Sequence, residues 1–161
     1  MTQPANRKQF VVERATTISA PADTVFGYLV DFHRWIAWSP WEGIDADLHR
    51  TYAGADSGVG ATYEWVGNRQ AGQGRMEITD ADPPTGLGIK LDFIKPFTAQ
   101  NFARFALRPD GDATRVTWTM TGTKNFASRL VGLFMSMDKL VGRDFDKGLT
   151  QLKAVVESGP Q

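Results

Sequence analysis

Apolar and polar residues alternate along five runs between residues 54 and 122 of this chain. In one of them, Leu91 and Phe93 fall on one side, and Lys90 and Asp92 fall on the other. A period of two is the spacing of a β-strand with one buried face and one solvated face. Turn signals rich in Gly, Pro, Asp and Asn separate the runs, with no helical stretch between them. The pattern therefore predicts consecutive antiparallel hairpins that form a sheet with one apolar face.

The apolar side of this sheet is rich in aromatic rings, which make up 11% of the whole chain. Rings at strand spacing usually pack on one another, but Tyr and Trp also line ligand cavities, because each adds one polar group to a large apolar surface. Both interpretations stay open for the five inward-facing rings. The residues predicted on the apolar side are Ala61, Tyr63, Trp65, Met76, Ile78, Ile89, Leu91, Phe93, Ala103, Phe105, Leu107, Val116, Trp118 and Met120.

The segments before these runs predict two more strands and two short helices. Residues 10–18 form the first strand, and residues 45–53 alternate weakly, with Arg50 and Tyr52 on one face. Between them, Pro21 and an acidic residue mark the start of a short helix. Asp31 is placed to cap a second short helix at residues 32–37, which Pro40 ends.

Residues 125–157 carry a helical pattern, and one apolar stripe runs along its whole length. At ~1.5 Å per residue, the part from residue 128 to residue 156 spans roughly 43 Å, so the helix must cross the whole sheet. The sequence thus predicts an α+β fold. The predicted order along the chain is strand, two short helices, six strands and a long C-terminal helix. The strands form a curved antiparallel seven-stranded sheet, and the long helix lies across its concave face. The stripe consists of Ala127, Val131, Phe134, Val141, Phe145, Leu149, Leu152 and Val156.

The front half of the long helix carries a second apolar face, about 90° from the main stripe. One helix on one sheet does not need both faces. We expect the second face to pack on the short helices, and a homodimer contact is the next interpretation. It could also meet another partner or a lipid surface. Its residues are Phe126, Leu130, Leu133, Met137 and Leu140.

Composition excludes several classes of protein. Lys and Arg total 18, as do Asp and Glu, so the basic surplus that nucleic-acid binding requires is missing. The chain has no cysteine, which excludes disulfides, thiolate metal sites and cysteine nucleophiles. The strongest apolar run, residues 130–137, is far shorter than the ~20 residues of a membrane span. Residues 1–9 are polar and lack the apolar stretch of a secretory signal. We expect a flexible tail at residues 1–9, a single domain at residues 10–158 and a cytoplasmic location.

Motifs for familiar chemistry are missing as well. The sequence lacks G-x-S-x-G, and its two histidines, His33 and His49, do not have metal-ligand spacing. Its two G-x-G motifs, at residues 72–74 and 86–88, lack the third glycine and the strand–helix context of a dinucleotide-binding loop. The sequence therefore predicts no metal and no cofactor.

Asp138 stands out because its neighbours in the helical stripe are apolar. An ionised carboxylate buried without partners costs at least several kcal/mol, so it should be paired, protonated or in contact with water in a cavity. Arg50 is one candidate partner. If Asp138 points inward, it could recognise a ligand hydroxyl or take part in acid–base chemistry. The alternative is a bend near Gly142 that turns Asp138 to solvent.

Three tryptophans, Trp35, Trp38 and Trp41, cluster around Pro40 just before the sheet resumes. One interpretation is a hydrophobic plug that anchors the short helices. The other is a cavity mouth with a mobile rim that admits ligand.

Four segments carry a resemblance to a known superfamily: ISAPADTVF at 18–26, DFHRWIAWSPW at 31–41, TRVTW at 114–118 and GRDFDKGL at 142–149. They resemble the START/polyketide-cyclase superfamily, whose helix-grip fold is shared with the birch-pollen-allergen proteins. The resemblance covers residues 10–158 and is specific for the fold. It implies an internal cavity for an apolar or aromatic small molecule, but it transfers no catalytic residue, because no shared catalytic motif defines the superfamily.

The leading hypothesis is therefore binding or transport of a hydrophobic small molecule, such as a lipid, isoprenoid, quinone or polyketide. An enzyme of the cyclase, aromatase or dehydratase type is the alternative, with proton exchange through Asp138, Tyr63 or Arg50. A module that docks proteins on its surface is the third hypothesis. The predicted ligand-binding residues are Tyr63, Trp65, Ile78, Leu91, Phe93, Phe105, Trp118, Met120, Phe134 and Asp138.

Overall fold

The computed structural model describes residues 9–42, 45–68, 71–95, 98–123 and 137–158. Within them lie seven strands, two α-helices and a 3₁₀ helix, in the predicted order. The strands are β1 (Gln9–Ile18), β2 (His49–Gly54), β3 (Ala61–Val66), β4 (Gln73–Asp82), β5 (Gly86–Lys95), β6 (Ala99–Asp110) and β7 (Ala113–Thr123). The helices are α1 (Ala22–Leu29), the 3₁₀ helix (Phe32–Ala37) and α2 (Met137–Glu157).

The seven strands form one antiparallel sheet in the order β1-β7-β6-β5-β4-β3-β2. Strands β2 to β7 follow one another as hairpins, and β1 pairs with β7 and forms the edge opposite β2. The predicted alternation is confirmed most clearly in β6, where Ala103 and Phe105 are buried while Phe102 and Arg104 are exposed. The sheet therefore has the apolar, concave face that the sequence predicts.

Cross-strand pairing arranges the concave face in rows, since residues directly opposite each other on neighbouring strands share a face. One row begins at the β2 edge and crosses the middle of the sheet. It runs through Tyr52, Tyr63, Met76, Leu91 and Asn101.

The short helices begin where the sequence predicts. Pro21 occupies the N-cap of α1, and Asp23 lies in the first turn near the positive end of the helix dipole. The Asp31 side chain caps the 3₁₀ helix by accepting a hydrogen bond from the backbone N–H of His33 at 2.9 Å. The indole N–H of Trp35 donates to the carbonyl oxygen of Leu29 at 2.9 Å, which ties the two short helices together.

Helix α2 lies against the sheet through the C-terminal part of the predicted stripe. Its inward side chains Val141, Phe145, Leu149, Leu152 and Val156 are all buried. Residues 125–136 of the predicted long helix lie outside the described residues. This range includes Ala127, Val131 and Phe134 of the stripe and Phe126, Leu130 and Leu133 of the second apolar face.

Trp118 on β7 is the ring on which this packing converges. It stacks on Phe145 of α2 with centroids 3.9 Å apart and planes 3° apart, and on Phe105 of β6 at 4.9 Å. Trp38 and Trp41 meet the same ring edge-on, at 5.5 Å and 5.7 Å. Aromatic pairs in these geometries are worth about 0.5–1.5 kcal/mol each beyond the area they bury. The cluster therefore fixes the sheet, α2 and the segment after the 3₁₀ helix against one another.

Gly148 lets α2 approach this cluster closely. A Cβ atom at this position would lie 2.8 Å from Pro40 Cδ and 3.0 Å from Trp118 Cζ3. Both neighbours are ring atoms held by their surroundings, so the helix would have to move away from the sheet.

We therefore expect Gly148→Ala to destabilise the protein by about 1–2 kcal/mol. Overpacking a core costs typically ~1–3 kcal/mol, against a gain of at most about 1 kcal/mol in helix propensity. Urea denaturation measures the change. Thr150→Ala, at an exposed position of the same helix, is the matched control and should be neutral or slightly stabilising. Equal effects of the two substitutions would contradict the close-packing argument.

Candidate functional site

The concave face consists of two halves that differ in packing. In the half beneath α2 and the short helices, the side chains are sealed from solvent: Ile78 and Phe105 are 0% exposed and Trp118 is 2% exposed. This sealed half is filled by the Trp118 ring cluster. Its aromatic residues therefore form a packed core.

The other half, which we call the accessible half, lies toward the β2 edge and the Trp65 end of the sheet. Tyr63, Met76 and Leu91 face inward and are buried, whereas Trp65 and Phe93 are only half-buried. Their rings form a wall: Tyr63 stacks on Trp65 at 6.1 Å, and Trp65 meets Phe93 edge-on at 6.0 Å. These side chains offer a partly open apolar surface on the inner side of the sheet.

An ion pair borders the accessible half. The Arg50 guanidinium on β2 bonds to the Glu42 carboxylate, and the two side chains are only 24% and 17% exposed. The hydrogen bond that Arg50 donates to Glu42 raises the pKa of Arg50, although burial opposes the rise. Arg50 lies opposite Trp65 in the β2–β3 register, so its charged head is at the end of the apolar wall.

Two tyrosines complete this polar cluster, which comprises Glu42, Arg50, Tyr52 and Tyr63. Burial raises the pKa of Tyr63 to about 12, the nearby Glu42 charge adds to the rise, and the Arg50 charge opposes it. Burial also raises the pKa of Tyr52. The Tyr63 hydroxyl is therefore protonated at neutral pH and can donate a hydrogen bond.

Three buried side-chain polar atoms find no hydrogen-bond partner within the described part of the chain: Arg50 Nε, Asn101 Oδ1 and Trp118 Nε1. All three belong to residues on the concave face. An unpaired buried donor or acceptor costs about 1–3 kcal/mol, so such atoms are rare in a face built only for packing. The amide of Asn101 makes one weak contact, in which Nδ2 lies 3.6 Å from the sulfur of Met120.

The structure distributes the predicted ligand-binding residues between the two halves. Tyr63, Trp65, Leu91 and Phe93 lie in the accessible half, whereas Ile78, Phe105 and Trp118 lie in the sealed half. Met120, 5% exposed, lies between them. Phe134 is outside the described residues. Asp138 lies near the start of α2, but its side chain is outside the described part, and Arg50 has Glu42 as its partner.

The three tryptophans proposed as a plug or a cavity mouth differ in burial. Trp35 and Trp38 are 4% and 1% exposed, and their indole N–H groups donate to backbone carbonyl oxygens. Both rings are therefore part of the packed core. Trp41 is half-buried and donates from Nε1 to Asp144 Oδ2 at 3.3 Å.

Sequence reasoning missed three polar residues at or near this site. Asn101 occupies an apolar register position in the β6 alternation, and that break in the pattern was a usable signal. Glu42 lies in the segment between the 3₁₀ helix and β2, where no periodicity reveals its direction. Asp144 lies beside the apolar stripe of α2, where Trp41 covers it.

Groups of three or more metal-ligating side chains are not found among the described residues. In the same part of the chain, no helix has both the length and the apolar character needed to cross a membrane.

Residues 9–157 match the model of the family described as polyketide cyclase / dehydrase and lipid transport. The chain belongs to this family. Among curated proteins, no sequence matches it.

Solved structures share the fold at low sequence identity. The Chromobacterium violaceum protein CV1439 is 15% identical with a TM-score of 0.66, covering 94% of this chain and 98% of its own. Ara h 8.0201 is 12% identical with a TM-score of 0.64, covering 94% and 99%. DynU16, a protein in the dynemicin biosynthetic locus, is 17% identical with a TM-score of 0.63, covering 92% of this chain and 48% of its own. The helix-grip architecture is thereby established.

The Asp144–Trp41 contact yields a test of local electrostatics. Burial raises the pKa of the Asp144 carboxyl, although the Trp41 hydrogen bond and the charge of Lys147 oppose the rise. A carboxyl whose pKa is raised on folding costs stability wherever it is ionised. That cost disappears as the pH falls through the raised value.

We expect Asp144→Asn to raise the melting temperature at neutral pH, because the amide oxygen still accepts from Trp41 without burying a charge. The advantage should shrink at acidic pH, where Asp144 itself becomes neutral. Melting curves recorded across the acidic range measure both effects. Asp112→Asn, at an exposed position of the turn between β6 and β7, is the control. A lower melting temperature for Asp144→Asn at neutral pH would show that the carboxylate is favourable.

Proposed function

We propose that this protein binds a hydrophobic small molecule against the accessible half of the concave face, with an oxygen-bearing end at the polar cluster. The observation that carries the proposal is the difference in burial between the two halves of the concave face. The inner side chains are sealed at one end and keep exposure at the other, where Trp65 and Phe93 are half-buried. That end of the face therefore leaves aromatic surface for a bound molecule to cover.

The apolar wall would supply most of the affinity. Burying ligand surface against Met76, Leu91 and the rings contributes about 25 cal/mol per Å², before the costs of association. The wall is aromatic where Trp65 meets Phe93, and ring faces and edges of this kind suit ring-containing molecules. The family description, which includes lipid transport as well as polyketide chemistry, supports a ligand of this kind.

The polar cluster would orient the bound molecule. Tyr63 offers a protonated hydroxyl, and Arg50 has an Nε–H without a partner in the described chain. Both groups donate hydrogen bonds, so they favour a ligand oxygen that accepts them, such as a carbonyl. Lipids, quinones and polyketides all carry such oxygens.

Nile red, a neutral apolar dye whose emission rises in apolar surroundings, tests the proposal. We expect saturable binding to the wild-type protein and a loss of affinity of about tenfold or more in Leu91→Trp. The added ring in that variant would occupy the accessible half. Met76→Phe, which adds less volume, should have a smaller effect in the same direction.

Phe102→Trp is the matched control, because Phe102 is 50% exposed on the convex side of the sheet. It introduces the same side chain on the neighbouring strand without entering the concave face. Failure of the wild-type protein to bind the dye, or equal losses in Leu91→Trp and Phe102→Trp, would refute the proposed site.

A second candidate function is catalysis of a cyclase or dehydratase type, and one observation favours it. Three ionisable side chains, Glu42, Arg50 and Tyr63, border one apolar surface, and a proton-donating phenol beside a guanidinium can polarise a carbonyl. If the protein is such an enzyme, Tyr63→Phe should abolish turnover of a bound poly-ketone while leaving the affinity for Nile red within about twofold of the wild-type value. Unchanged turnover in Tyr63→Phe would remove this role.

A further inference from the structure

Glu42 is the one described carboxylate that bonds to the Arg50 head at the end of the apolar wall. Burial raises the pKa of Tyr52, and a second carboxylate, Asp31, lies near enough for its charge to add to that rise. Asp31 is held by His33, whose backbone N–H and Nδ1 both approach Asp31 Oδ1, at 2.9 Å and 2.8 Å. Glu42 thus neutralises the charge that Arg50 brings to the site.

This neutralisation has a consequence for what can bind. Arg50 alone would attract a carboxylate, because a guanidinium presents a fork of N–H donors that matches two carboxylate oxygens. With Glu42 on one side of that fork, an incoming anion meets one positive and one negative charge, and it must also give up its water. An uncharged oxygen meets the remaining donors without this penalty.

We propose that Glu42 is a specificity-determining residue: it makes the polar end of the site select an uncharged carbonyl oxygen and reject a carboxylate. The inference rests on the function proposed above and adds the charge class of the ligand to it. A fatty acid is thereby disfavoured relative to a ketone, quinone or ester with the same apolar body.

The charges of Arg50 and Glu42 balance each other within the site. Arg50 and Glu42 are 24% and 17% exposed, so water screens the pair less than it screens the ion pairs on the convex face. The Arg75–Glu64 pair on that face has exposures of 34% and 53%. Tyr63 adds no charge, since burial raises its pKa to about 12.

Two probes with the same apolar body separate the alternatives: acetylnaphthalene, a ketone, and naphthoate, a carboxylate substituted at the same ring position. Isothermal titration calorimetry gives the ratio of their affinities. We expect the wild-type protein to prefer the ketone. In Glu42→Gln the amide oxygen can still accept from Arg50, so the guanidinium stays in place but is no longer neutralised.

The affinity ratio should therefore shift toward naphthoate by at least about tenfold in Glu42→Gln. Glu64→Gln is the matched control: it removes the same charge from the convex face and should leave the ratio within about twofold. Adding Arg50→Gln to Glu42→Gln should restore the preference for the ketone, since the site is then neutral again.

The outcomes distinguish this inference from the function on which it rests. If the wild-type protein binds both probes equally, or if Glu42→Gln weakens both by the same factor, Glu42 does not set the charge preference and the inference is wrong. The binding function would survive either result. If neither probe and no Nile red binds to the wild-type protein, the proposed function fails and the inference fails with it.

Discussion

The face-to-face contact between Trp118 and Phe145 is the interaction on which the rest of the structure depends. It joins the sheet to α2 at a centroid distance of 3.9 Å, and Phe105, Trp38 and Trp41 close around it. A curved sheet cannot bury its concave face alone, so the position of this contact decides where the face is covered. Because the rings fill the space beneath α2, the exposed part of the inner surface is confined to the end near Trp65 and Phe93.

The position of the polar cluster follows from the division of the concave face into a sealed half and an accessible half. Charged groups are costly in the sealed half, and burial there raises the pKa of the Asp144 carboxyl beside the ring cluster. At the open end, Arg50 and Glu42 retain some contact with solvent and pair with each other, which makes their partial burial affordable. The site thus combines an apolar wall, two hydrogen-bond donors and no net charge. Such a surface is suited to a molecule that is mostly hydrocarbon and carries an uncharged oxygen.

Much of the candidate site could be predicted from the sequence, and the limits have identifiable causes. Alternation in β3 and β5 assigned Tyr63, Trp65, Leu91 and Phe93 to the inner face, because a strand's period of two fixes the direction of every side chain. The same rule assigned Phe105 to that face, but it could not say that a helix would seal it. Direction is a local property, whereas covering depends on which segment arrives from elsewhere in the chain.

The sequence by itself determined the α+β class, the seven strands, the starts of the short helices and the inner face of the sheet. Each of these follows from local periodicity and from backbone chemistry within a few residues. Only the tertiary structure decided which inner side chains are sealed and which stay accessible, and that Arg50 pairs with Glu42. These features depend on contacts between residues far apart in the chain, or in segments without periodicity. Their energies come from packing and charge pairing in three dimensions, which no local pattern encodes.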